Sequence, residues 1–139
     1  MRERSHVALL RYDGVNWTAV SVPLATVTNN DTLLQIVATG PDDIWVSGRS
    51  SAATVTSTGL QIASLLLRYD GRAWSQVTPN IAVSGINAAS IVSISVAPDG
   101  TLWATGGASN IPEGHGSAAP LFWRYDNGAW SALWATSGK

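Results

Sequence analysis

The chain has 139 residues, room for one domain, and its lack of cysteine excludes disulfides, thiolate chemistry and Cys-based metal sites. Hydrophobic residues make up 45% and charged residues only 12%, about half the usual share, so many strands must hide both faces. The net charge of −1 comes from eight basic and nine acidic residues scattered singly, which leaves no basic stripe to hold nucleic acid.

The N-terminus, Met1 to His6, is polar, and the apolar run Val7 to Leu10 is too short for a signal-peptide core or a membrane span. An export signal would have to lie outside this chain. The compartment is not fixed by the sequence, with an extracellular or cell-surface location favoured.

A repeat begins at once. Leu10-Arg11-Tyr12-Asp13-Gly14-Val15-Asn16-Trp17 returns as Leu67-Arg68-Tyr69-Asp70-Gly71-Arg72-Ala73-Trp74, then as Trp123-Arg124-Tyr125-Asp126-Asn127-Gly128-Ala129-Trp130. Between these copies runs a second motif, Gly40-Pro41-Asp42-Asp43-Ile44-Trp45-Val46-Ser47-Gly48. Its partner is Ala97-Pro98-Asp99-Gly100-Thr101-Leu102-Trp103-Ala104-Thr105-Gly106. Two interleaved motifs with one period of about 57 residues define a repeat protein. Asp-Gly and Asn-Gly between apolar runs predict tight hairpins, because these residues tolerate positive φ, and Pro-Asp predicts another turn.

The unit is therefore four antiparallel strands. A, B, C and D are predicted at about 33–39, 44–49, 60–69 and 73–78, and again at 90–97, 101–106, 120–125 and 129–134. No apolar period of 3.6 residues persists beyond two turns, so no helix is expected. Residues 6–22 supply one extra C–D pair, and the count is about two and a half units, bounded at 6–22, 32–79 and 90–135 within a single domain spanning 1–139. Strand C is apolar on both faces, with Leu66 beside Leu67 and Phe122 beside Trp123, as a sheet held between two others requires.

Pro41-Asp42-Asp43-Ile44-Trp45, Pro98-Asp99-Gly100-Thr101-Leu102-Trp103 and the three Arg-Tyr-Asp hairpins resemble bacterial β-propeller repeats, of the two-component-regulator, tectonin and kelch-like kinds. The resemblance covers almost the whole chain. It implies an all-β fold of four-stranded propeller blades, and families that include lectins, sensors and scaffolds. Closed propellers take about four to eight blades, so it also implies a homo-oligomer or further blades of a longer chain.

Candidate chemistry is weighed against packing. Trp17, Trp74 and Trp130 recur at one position of the unit and Trp45 and Trp103 at another, which predicts burial rather than glycan stacking. Arg11, Arg68 and Arg124 are expected to lie along apolar surface and pair with a turn carboxylate such as Asp42 or Asp99. The turn aspartates lack the regular offsets of a calcium loop, so no metal is expected. His115, with Glu113 two residues before it, has no nucleophile or metal partner placed by any motif, so no enzyme activity and no cofactor are expected.

The B–C connections (50–59 and 107–119) and D–A connections (23–32 and 79–89) are long, polar and unlike one another. Meander topology puts them together at one end of the sheets, opposite the tight turns. Variable loops on a rigid scaffold carry binding. The expected function is a non-enzymatic binding or interaction module, recognising a glycan or protein through Asn29, Asn30, Asp31, Arg49, Asn80, Asn87, Asn110, Glu113 and His115. The alternative is a structural role, as an oligomerising propeller segment or a fragment of a larger propeller.

Overall fold

The computed structural model describes residues 7–22, 31–55, 61–79, 88–109 and 118–134, and every regular element among them is a β-strand. The strands are β1 (Leu9–Tyr12), β2 (Trp17–Val20), β3 (Thr32–Gly40), β4 (Asp43–Val55) and β5 (Gln61–Tyr69). They continue with β6 (Trp74–Gln76), β7 (Ala88–Val96), β8 (Leu102–Ser109), β9 (Ala118–Asp126) and β10 (Ala129–Trp134).

β1 and β2 form a separate hairpin. β3 to β6 pair in sequence as one antiparallel meander and β7 to β10 as another. The two are joined along one edge by a short parallel pairing, Gln61↔Ala88 and Ile62↔Ala89. Strand B is longer than the sequence suggests. Residues 50–55 and 107–109 were expected in polar loops, yet they extend β4 and β8, and 118–119 open β9. Ladder pairs such as Val55↔Gln61 and Ser109↔Ala118 satisfy the backbone whatever the side-chain polarity.

The core lies between the two meanders. Trp45, Ile62 and Leu66 from the first cluster with Ile91, Ile94, Leu102, Ala104, Leu121 and Trp123 from the second. Strand alternation sends Leu65 and Leu67 to the other face of β5, and both are buried as deeply as Leu66. The expectation that strand C is covered on both sides therefore holds for β5. In β9 it holds for one face only: Leu121 and Trp123 are fully buried, while Phe122 is 42% exposed.

The two meanders share a detail that the sequence motifs do not show. The β3–β4 ladder is interrupted between Leu33 and Gln35, and the β7–β8 ladder between Ile91 and Ser93. A glycine faces each bulge, Gly48 opposite Leu33 and Gly106 opposite Ile91. A Cβ on Gly48 would fall inside contact distance of the Thr32 carbonyl oxygen, and one on Gly106 inside that of the Ser90 carbonyl oxygen. Close approach of backbone to backbone explains both glycines.

Side chains of the first meander take up polar groups beside the second bulge. Gln35 Oε1 accepts from Ser93 Oγ (3.1 Å) and from the Ile94 amide (2.9 Å). Ser64 Oγ accepts from the Ile91 amide (2.7 Å) and donates to the Ile91 carbonyl (3.3 Å). These bonds register one sheet on the other, which apolar contact alone does not do.

Candidate functional site

Each Tyr-Asp hairpin holds its tyrosine and tryptophan side by side. Tyr12↔Trp17, Tyr69↔Trp74 and Tyr125↔Trp130 are cross-strand partners, with ring centroids 5.0, 5.5 and 5.0 Å apart. The first two turns are built alike. Asp13 Oδ1 accepts from the amides of Val15 and Asn16, and Asp70 Oδ1 from those of Arg72 and Ala73. Gly14 and Gly71 follow these aspartates with φ of 101° and 92°, a backbone that glycine adopts readily and other residues do not. The third turn places both Asn127 (φ 50°) and Gly128 (φ 78°) in the left-handed region, as type I′ requires.

These amide bonds hold the Asp13 and Asp70 carboxyls below the ordinary aspartate value, led by Asn16 and Ala73 respectively. The Thr101 amide does the same for Asp99. Turn aspartates are thus spent on the turns themselves.

At the turn end of the two meanders the repeated residues meet in a joint. Trp45 of β4 is 1% exposed and stacks edge-on against Tyr125 (5.0 Å) and Trp130 (5.8 Å) of the second meander. Arg68, its cross-strand neighbour, lies over the Trp45 ring at 5.0 Å and the Tyr125 ring at 5.3 Å. Its Nε donates to Asp43 Oδ1 (2.8 Å) and its Nη1 to the Tyr125 hydroxyl (2.9 Å). Thr39 donates to the other Asp43 oxygen (2.5 Å), so both carboxylate oxygens are used. The Asp43 bond, first of all, holds the guanidinium pKa above its usual value. A cavity of about 220 Å³ opens beside this cluster, lined by Asp43, Arg68, Tyr125 and the Asn127-Gly128 turn. Of its walls, Thr39, Asp43, Arg68 and Tyr125 are already bonded to one another.

The expected arginine pairing is therefore right in kind and shifted in partner. Arg68 takes Asp43 rather than Asp42, because Asp43 opens β4 beside Arg68 while Asp42 stands in the turn. Arg124 pairs with Asp126 in its own hairpin (3.0 Å) rather than Asp99, and lies over Trp103 at 5.9 Å. The tryptophans also divide. Trp45 and Trp123 are buried, Trp74, Trp103 and Trp130 are partly covered, and Trp17 is 67% exposed. Trp17 was expected in the core. No strand of the described residues covers its face of the leading hairpin, so the same position that is half-buried in later copies is open here.

Of the nine expected loop residues, Asn29, Asn30, Asn80, Asn87, Asn110, Glu113 and His115 lie outside the described residues. Asp31 and Arg49 do share one end of the sheet, opposite the tight turns, since Arg49 pairs with Thr32. Arg49 is exposed. Asp31 is 7% exposed and accepts from Ser50 Oγ at 2.7 Å. Sequence reasoning missed Gln35 and Ser64, whose signal was a lone polar residue within an apolar strand, Leu33-Leu34-Gln35-Ile36-Val37 and Ile62-Ala63-Ser64-Leu65.

The leading hairpin faces the outer side of the first meander across a groove of about 470 Å³, lined by Leu9, Arg11, Ile36, Ile44, Tyr69 and Trp74 among others. Among the described residues no group of three or more His, Asp or Glu side chains could hold a metal ion, and no helix is long and apolar enough to cross a membrane. The chain matches no family model, no curated protein and no solved structure.

Proposed function

We propose that this chain is a non-enzymatic interaction module of β-propeller type, whose four-stranded sheets act as blades that stack face to face. The observation that carries this reading is the joint, in which Trp45 and Arg68 of one sheet receive Tyr125 and Trp130 of the next. Trp45, Arg68, Tyr125 and Trp130 all belong to the repeated motifs, which supports reading the joint as a way of adding sheets. The described carboxylates with known partners support a binding rather than a catalytic role, because they are spent on turns and on this joint.

A double-mutant cycle of Arg68→Ala and Tyr125→Phe tests it. Coupling of about 0.5–1.5 kcal/mol is expected for a hydrogen bond across the joint. Additive effects would show that the sheets do not meet as described.

A second reading concerns the partner, a glycan or a protein held at the long-connection end. It is favoured by the partly buried Asp31–Ser50 bond, which ties the start of β3 to β4 and gives that end a base. Changing Glu113 and His115 together to Ala should leave the melting transition intact and abolish any binding the native chain shows on a glycan array. Loss of the transition instead would make those residues structural.

A further inference from the structure

Resting on that reading of stacked sheets, we propose that the chain's two outer faces bind each other in a second copy, head to tail, the Tyr12–Trp17 pair of one copy entering the Trp103–Arg124 seat of the next.

Each half already exists inside the chain. The internal joint consists of a seat, Trp45 with Arg68 over its ring, and a knob, the Tyr125–Trp130 pair. The same seat recurs as Trp103 with Arg124 over its ring, also a cross-strand pair. The same knob recurs as Tyr12 and Trp17, with the same centroid distance of 5.0 Å as Tyr125 and Trp130.

Strand alternation fixes where these parts face. Leu102, Ala104, Leu121 and Trp123 belong to the core shared with the first meander, so Trp103, Phe122 and Arg124 project from the opposite face. On the hairpin, Leu10, Tyr12 and Trp17 are 57%, 51% and 67% exposed. Phe122 (42% exposed) and the half-exposed Trp103 on one sheet, with Leu10, Tyr12 and Trp17 on the hairpin, leave apolar side chains open on both faces.

The polar groups match as well. Arg68 reaches Tyr125 through Nη1, and Arg124 is held to Asp126 through Nη2, which leaves Nη1 for the Tyr12 hydroxyl. That hydroxyl donates to the Gly14 carbonyl (2.8 Å), so its lone pairs remain to accept. The contact is heterologous, and it closes as a ring or continues as a filament according to the angle between copies.

Light scattering of the purified chain, with Trp17→Ser and Trp103→Ser variants, tests this. The native chain should show a multiple of 14.6 kDa that falls towards the single mass on dilution. Each variant alone should stay at the single mass, with its near-ultraviolet circular dichroism otherwise native. A mixture of the two should recover a two-chain species, because one variant retains the knob and the other the seat. A native chain of single mass at every concentration, variants that associate like the native chain, or a mixture that fails to recover would each overturn the proposal. If the single mass is found with the Arg68–Tyr125 coupling intact, the stacking reading stands and the second copy does not. Loss of that coupling would remove the reading itself.

Discussion

Replacing Gly106 with alanine would place a methyl group against the backbone of the strand it pairs with. The nearest atoms would be the Ser90 carbonyl oxygen, the Ser90 carbonyl carbon at 2.8 Å and the Ile91 Cα at 3.1 Å. None of these is a flexible side chain, so relief must come from parting β7 and β8 at the bulge. Overpacking of this kind costs about 1–3 kcal/mol, and each ladder bond lost in the adjustment adds about 0.5–1.5 kcal/mol. The lower entropy of an unfolded alanine returns only about 0.4–1 kcal/mol. The net loss should be about 1–3 kcal/mol by the same figures, read as a lower urea midpoint at unchanged slope. Gly48→Ala should behave alike, since its Cβ meets Thr32 and Leu33 in the equivalent places. Gly107→Ala is the control: nothing lies within 4 Å of a Cβ there. If Gly106→Ala and Gly107→Ala were equally stable, the close approach at the bulge would be wrong and the two glycines would need another explanation.

Trp123→Ala should cost about 3–5 kcal/mol by denaturant titration, the usual loss for emptying a buried aromatic site, whereas Trp17→Ala, compared at a dilution where the chain has its single mass, should stay within about 0.5 kcal/mol. Equal costs would mean that the leading hairpin is covered within its own chain. Acid should weaken the fold through Asp13, Asp70 and Asp99, whose folded pKa values lie below the ordinary 3.8. The unfolded chain takes up protons first, so their contribution is whole above that value and is lost as pH falls through the folded values. Asp70→Ala should flatten this acid slope in urea midpoints, and an unchanged slope would refute the assignment.

Much of the fold was legible because the repeat placed the same turn chemistry at fixed intervals. The Asp-Gly and Asn-Gly hairpins needed residues that accept positive φ, and Gly14, Gly71, Asn127 and Gly128 supply them. The strands that the sequence shortened, β4 and β8, continue through serine, alanine and threonine, whose ladder bonds carry no hydrophobic pattern. Burial was legible only in part. A repeated tryptophan tells which position it holds in the unit, not whether a neighbouring sheet is there to cover it, which is why Trp45 is buried and Trp17 is open. The bulges were not legible at all. Their mark is a pair of glycines, Gly48 and Gly106, that also fit the end of a strand.

The two copies of the Pro-Asp turn differ by one residue, and this difference sets the strength of the two seats. The short turn lets Asp43 open β4 opposite Gly40, where it meets Arg68. The longer turn closes on itself through Gly100 N to Ala97 O (2.9 Å) and Thr101 N to Asp99 Oδ1 (3.0 Å). It presents glycine and threonine where a carboxylate would be needed. Arg124 turns instead to Asp126, two residues along its own strand, with both side chains about 40% exposed. An exposed pair of this kind restrains a guanidinium little, whereas Arg68 is held by Asp43 against a buried ring before it reaches Tyr125. Docking at the outer seat must therefore supply the ordering that the inner seat already has. The inner joint is part of the fold; on the proposal of a second copy, the outer one would be the weaker contact and would respond to concentration.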